Sequence, residues 1–443
     1  MSVRSPRRAA LLLALSVTAG PAIAACSGSS SSAGPPTVNW YIGNESWLKT
    51  SGGVTGVVDA CNGLANGAYK IVPQSLPTNP DGQREQLVRR LAAKDPSIDL
   101  IGMDVTWTGE FAQAGWIKQF APGQLTHVGD EKAVLAGPWA SSQYLGKQYG
   151  APLNSNTRLL WYRKSKLAAT GLTEQQLQTV TWDQLLADAA KAGTKIQETG
   201  ARAESLDVTF NALVESGGGH LVHVDDQGTA TVDMPQVPTE KAMWIMGRFA
   251  RSSAAPVGLS NAGEDTNRLA FQTAGSASTF MINWPFVWPS VVSADPALSK
   301  DYGWAPFPRV NAGSPAKAAL GGYNLGIGSS TKHQAATLAA INCLTDPPQQ
   351  RTIAEVGGQP SVLRALGSDP AISAKLPMVG LMAQQLESAA PRPVTANYND
   401  LSLAVRQELH PETSIPTAGS ALDAKYRSLR DLVDKALKSQ AVL

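Results

Sequence analysis

His220 and His223, with Asp225 and Asp226 close by, invite a metal-site reading. Three positions apart on a strand, the two imidazoles leave opposite faces, so a hairpin around the polar turn Asp225-Asp226-Gln227-Gly228 is expected there, not a metal site. Nucleophilic chemistry has no better foothold, because no Gly-x-Ser-x-Gly elbow, phosphate-cradling Walker loop or dinucleotide fingerprint occurs. A glycosidase needs two carboxylates flanking the scissile bond, and Asp104 with Glu264 is the only pair that can be nominated. The reading is therefore a binding protein with no catalytic residues and no cofactor. Eleven tryptophans against eight phenylalanines and nine tyrosines are the compositional outlier. Flat indole faces match the apolar C–H faces of pyranose rings, so a sugar-binding cleft is one use for the surplus and the core is the other.

The elements that must position such residues alternate between short apolar strands and amphipathic helices, the pattern of an α/β protein. Strands are expected at residues 38–42, 69–74, 99–103, 158–162 and 321–327, and an extended stretch at 279–286. Helices are expected at 54–64, from a cap at Asp81 to 93, from a cap at Thr181 to about 192, and over 207–215 and 240–250. Asn44, Gln83 and Asp104 then fall at strand ends or helix starts, where open α/β sheets bind ligands. The chain beyond residue 36 is longer than one core usually organises, so two lobes are expected. Extended, Gly- or Pro-punctuated segments near 150, 280 and 328 are the candidate crossings of a three-stranded hinge. They divide the chain into a lobe of 37–152 plus 280–328 and a lobe of 153–279 plus 329–443. A net charge of +2 with 16% charged residues offers no field for nucleic acid.

Arg4, Arg7 and Arg8 precede a short apolar run and small residues, the order of an export signal over residues 1–25. The adjacent Arg7 and Arg8 also admit the twin-arginine route. Ile23-Ala24-Ala25-Cys26 resembles a bacterial lipobox, which implies a lipid on Cys26 and an extracytoplasmic location on the membrane surface. The Ser/Gly-rich tract to Pro36 reads as a flexible leash. Cys61 and Cys343 remain, either bridged, as an oxidising compartment permits, or buried as free thiols.

Three landmarks in order resemble the solute-binding proteins of carbohydrate ABC importers. They are Tyr149-Gly150-Ala151-Pro152 before Leu159-Leu160-Trp161-Tyr162-Arg163, then Asn283-Trp284-Pro285-Phe286, then Gly321-Gly322-Tyr323-Asn324-Leu325. Within that family the likeness is greatest to mycobacterial trehalose-binding lipoproteins, through Ser75-Leu76-Pro77, Gln83-Arg84, Asp104 to Trp116, Asn156-Thr157 and Arg392-Pro393. Cys61 and Cys343 also fall at matching places, which favours the bridge. The resemblance implies a two-lobed periplasmic-binding-protein-like fold of the maltose-binding-protein type. It implies a monomer that carries a disaccharide, most simply trehalose, to membrane permease subunits. It further implies roles for four residues: Asp104 and Asn156 on hydroxyls, Trp284 beneath a ring, and Arg392 as a rigid fork of donors. Asn44, Gln83, Glu264, Gly322 and Tyr323 complete the expected set.

Overall fold

The computed structural model describes residues 34–43, 54–77, 79–273, 275–389 and 391–438. Asn44, Cys26 and the whole export signal lie outside them, as does most of the leash. Thirteen strands occur among the described residues: β1 (Thr37–Gly43), β2 (Lys70–Leu76), β3 (Leu100–Asp104), β4 and β5 (Gln143–Tyr144, Lys147–Gln148), β6 (Ala151–Thr157), β7 (Leu159–Arg163), β8 (Lys195–Gln197), β9 and β10 (Val222–Val224, Ala230–Val232), β11 (Ser278–Asn283), β12 (Tyr302–Ala305) and β13 (Leu320–Ile327). They build two main sheets, ordered β2-β1-β3-β13-β6 and β12-β7-β11-β8, and two small hairpins, one of which is the expected Asp225–Gly228 turn between β9 and β10.

Both faces of the main sheets are covered, so their strands read as apolar runs. In β1, Val38, Trp40 and Ile42 join one core while Tyr41 joins another on the far side. In β7 the same alternation sends Leu160 and Tyr162 one way and Leu159 and Trp161 the other. Part of the tryptophan surplus is core: Trp40, Trp161 and Trp182 are fully buried. Cys61, on helix Val54–Leu64, is bridged to Cys343, on helix Gln334–Leu344, with Cα atoms 5.8 Å apart, and this staples two elements 282 residues apart beside the first sheet.

Two expectations change. The helix after β2 spans Pro80–Ala92 and is capped by Asn79, whose side chain accepts from Gly82 N at 2.7 Å, rather than by Asp81. Proline at the first helical position makes the preceding asparagine the natural cap, and Asp81 is left free to pair elsewhere. The division between sheets also differs from the positions expected. β6 belongs to the first sheet and β7 to the second, so the chain passes between them at Arg158 rather than near 150. β11 and β12 both lie in the second sheet, which moves the return crossing to the segment between Ala305 and Leu320. Helices from Gln334 to Ser388 pack by the first sheet, whereas Tyr398–Leu409 and Gly419–Lys438 pack with helix Glu204–Ser216 and the second core. The third passage therefore runs through residues 391–397, and it contains Arg392.

Candidate functional site

The first sheet brings its polar residues together through register. Tyr323 on β13 stands opposite Asp104 on β3 and opposite Asn154 on β6, and Gly321 stands opposite Asn156. Gly322 between them has φ 127°, and a Cβ there would lie 2.2 Å from Asn154 O, so only glycine fits this turn of the strand. At Gly321 a Cβ would meet Asn156 Oδ1 at 2.7 Å and Trp284 Cζ3 at 2.8 Å. The missing side chain is what lets the indole lie against the strand.

Trp284 follows β11 and is fixed at both ends. Its Nε1 donates to Glu264 Oε1 at 2.6 Å, and its backbone N donates to Asn283 Oδ1 at 2.8 Å. The Arg158 guanidinium lies 6.0 Å from the ring centre, within cation–π reach. Arg158 is itself buried and held by Glu198, Thr209 and Ile282 O. Burial raises the Glu264 carboxyl above its ordinary value, opposed by the Trp284 hydrogen bond and by Arg158.

Arg392, 3% exposed, ties the two halves of the site together. Its Nη1 donates to Glu204 Oε1 at 2.5 Å, and its Nη2 reaches Asp104 Oδ1 at 3.4 Å and Leu320 O at 3.5 Å. Burial works against its charge, but Asp104, Tyr398 and Glu204 more than offset this, so the guanidinium is held firmly protonated. The network continues through Ser402, whose hydroxyl lies between Glu204 at 2.6 Å and Asp207 at 2.7 Å and can donate its one proton to only one of them. It ends at Arg406, which pairs with Asp207 at 3.2 Å and with Asp81 at 2.9 Å. Burial, then the neighbouring Glu204 charge, pushes the Asp207 carboxyl well up. Asp104 also accepts from Thr106 N at 2.9 Å, so it braces its own turn as well as facing Arg392.

Several of these groups line one cavity of about 580 Å³. Asp104, Asn156, Trp284, Arg392, Glu264, Gly322 and Tyr323 all line it. Gln83 does not: it is packed under the end of β1, its Nε2 2.4 Å from where a Cβ on Gly43 would stand. Asn154, Glu204, Gln359 and Phe286, which are not among the expected site residues, also line the cavity. Asn154 was findable, being two residues from Asn156 and so on the same strand face. Among the described residues no cluster of His, Cys, Asp or Glu could hold a metal ion, and His220 pairs with Glu215 at 2.8 Å. No described helix is long and apolar enough to cross a membrane.

Residues 63–351 match the model of a family described as bacterial extracellular solute-binding protein. The diacetylchitobiose binding protein DasA of Streptomyces coelicolor is 26% identical over 266 residues, and the match spans 57% of this chain and 57% of that protein. Among solved structures, maltose-bound T. maritima MalE3 superposes with a TM-score of 0.75 at 24% identity, covering 89% of this chain and 98% of that one. The GacH receptor of Streptomyces glaucescens, solved unliganded and with acarbose, gives 0.75 at 20% identity over 91% of this chain and 99% of its own. The fold is thus the two-lobed α/β architecture of maltose-binding-protein type.

Proposed function

The chain belongs to the bacterial extracellular solute-binding proteins, and on that premise we propose that it captures a disaccharide of the trehalose type in this cavity and delivers it to the membrane subunits of an ABC importer. The observation that carries the reading is the convergence of Asp104, Asn156, Arg392 and Trp284 on one cavity of about 580 Å³, a volume within the range usual for small-molecule sites. Trp284 offers a flat apolar platform. Around it, carboxylates, amides and a fixed guanidinium supply the mixed donors and acceptors that hydroxyl groups require. The sugar is held without covalent change.

The chain passes between the two sheets at Arg158, between Ala305 and Leu320, and through 391–397, so the lobes can turn about these passages as the ligand closes them. Arg392 and Arg406 reach across to Asp104 and Asp81, which links closure to the charge network. A lipid on Cys26 and the tract that follows it would hold this receptor near its transporter, as a monomer on the extracytoplasmic face of the cell membrane.

A thermal-shift series with trehalose, maltose and diacetylchitobiose tests the reading. A ligand that binds only the folded chain stabilises it by about 2.7 kcal/mol at a hundred times its Kd, so trehalose should raise Tm. A shift with maltose alone would replace the sugar assigned, and release of free glucose would replace binding with hydrolysis.

A further inference from the structure

Asn154 and Asn156 leave β6 on the same face, and both amide nitrogens donate to a single atom, Gln359 Oε1, at 3.1 and 2.9 Å. An amide whose nitrogen is engaged on one side turns its carbonyl to the other. Asn154 Oδ1 and Asn156 Oδ1 are both buried and, among the described residues, have no hydrogen-bond partner. Both side chains line the cavity, and so does Gln359, which is 4% exposed. Gln359 comes directly after Gly358, whose φ of 65° ends helix Pro347–Gly357 and turns the chain toward β6.

We propose that Gln359 is a positioning residue that fixes the hydrogen-bond polarity of this wall. By holding both asparagine nitrogens it leaves two carbonyl acceptors facing the ligand, so the wall selects sugars that donate hydroxyl protons at two places. This rests on the sugar-binding reading above.

The test uses titration calorimetry on the wild-type chain, Gln359→Met and Gln359→Glu. The probes are trehalose, maltose and diacetylchitobiose, with monodeoxyfluoro analogues of each sugar that binds. Fluorine keeps much of the size and polarity of a hydroxyl but cannot donate. The wild-type chain should prefer hydroxyl over fluorine by tenfold or more at one or two positions. Gln359→Glu retains an acceptor for both nitrogens and should keep that preference. Gln359→Met frees the amides to rotate and should bring the ratio toward one. A residue that merely supports the fold would weaken parent and analogue alike, and an unchanged ratio in Gln359→Met would overturn the proposal. So would a wild-type chain with no hydroxyl preference, or loss of the ratio in Gln359→Glu, which decides the matter if Gln359→Met does not fold. If the wild-type chain binds none of the sugars, the sugar-binding reading fails and this assignment falls with it.

Discussion

Glu412→Gln should make the protein more stable at alkaline pH while leaving it little changed at pH 5. Glu412 is 3% exposed, its Oε2 has no partner among the described residues, and burial, then the Glu198 charge, pushes its carboxyl from 4.5 up to about 8. Between those values the folded chain holds a proton that the unfolded chain has released. The native state therefore binds more protons, and stability must fall as pH rises. Each pH unit costs about 1.4 kcal/mol, so the loss between pH 5 and pH 8 is on the order of 4 kcal/mol. Glutamine keeps the volume and cannot titrate, so the variant should escape most of that loss. Urea unfolding at pH 5, 6.5 and 8 measures the difference directly. Parallel loss of stability in both proteins over that range would refute the reasoning.

Arg392→Leu should abolish sugar binding and also cost roughly 3–5 kcal/mol of stability, because it leaves Glu204 and Asp104 without their buried cation; calorimetry and urea midpoints read the two effects separately, and an undiminished affinity would remove the residue from the site. Gly321→Val places a side chain where Asn156 Oδ1 and the Trp284 ring now stand, so affinity should fall at least tenfold with the cooperative unfolding transition retained. Cys61→Ser opens a closure spanning 282 residues and should lower stability by about 2–5 kcal/mol, measured as the denaturant midpoint under non-reducing conditions.

Much of the site was legible because its residues end regular elements. Asp104 closes β3 and Trp284 follows β11, places where a strand pattern stops and a polar or aromatic residue stands out. β6 was harder. Its Asn154-Ser155-Asn156 run reads as a turn, yet the segment is a fully buried strand whose two amide nitrogens are held by Gln359 and whose serine hydroxyl is held by Gly321 O. That disguise shifted the expected crossing from Arg158 to about 150. Glu204 escaped for a different reason. The helix it begins is buried on nearly every side, so no apolar stripe marked its first turn, and the helix was expected only from Asp207. Arg392 carried no local signal of its pairing, because Asp104 is 288 residues away. Only the fold brings such charges together.

The central claim is that the cavity beside Trp284 holds a trehalose-type disaccharide, and a crystal structure of the chain grown with trehalose tests it most directly. The sugar should lie in the cavity with one ring stacked on Trp284 and hydroxyls within about 3 Å of Asp104, Asn156 and Arg392. A cavity still empty of sugar at saturating trehalose, or a sugar bound away from these four side chains, would contradict the account.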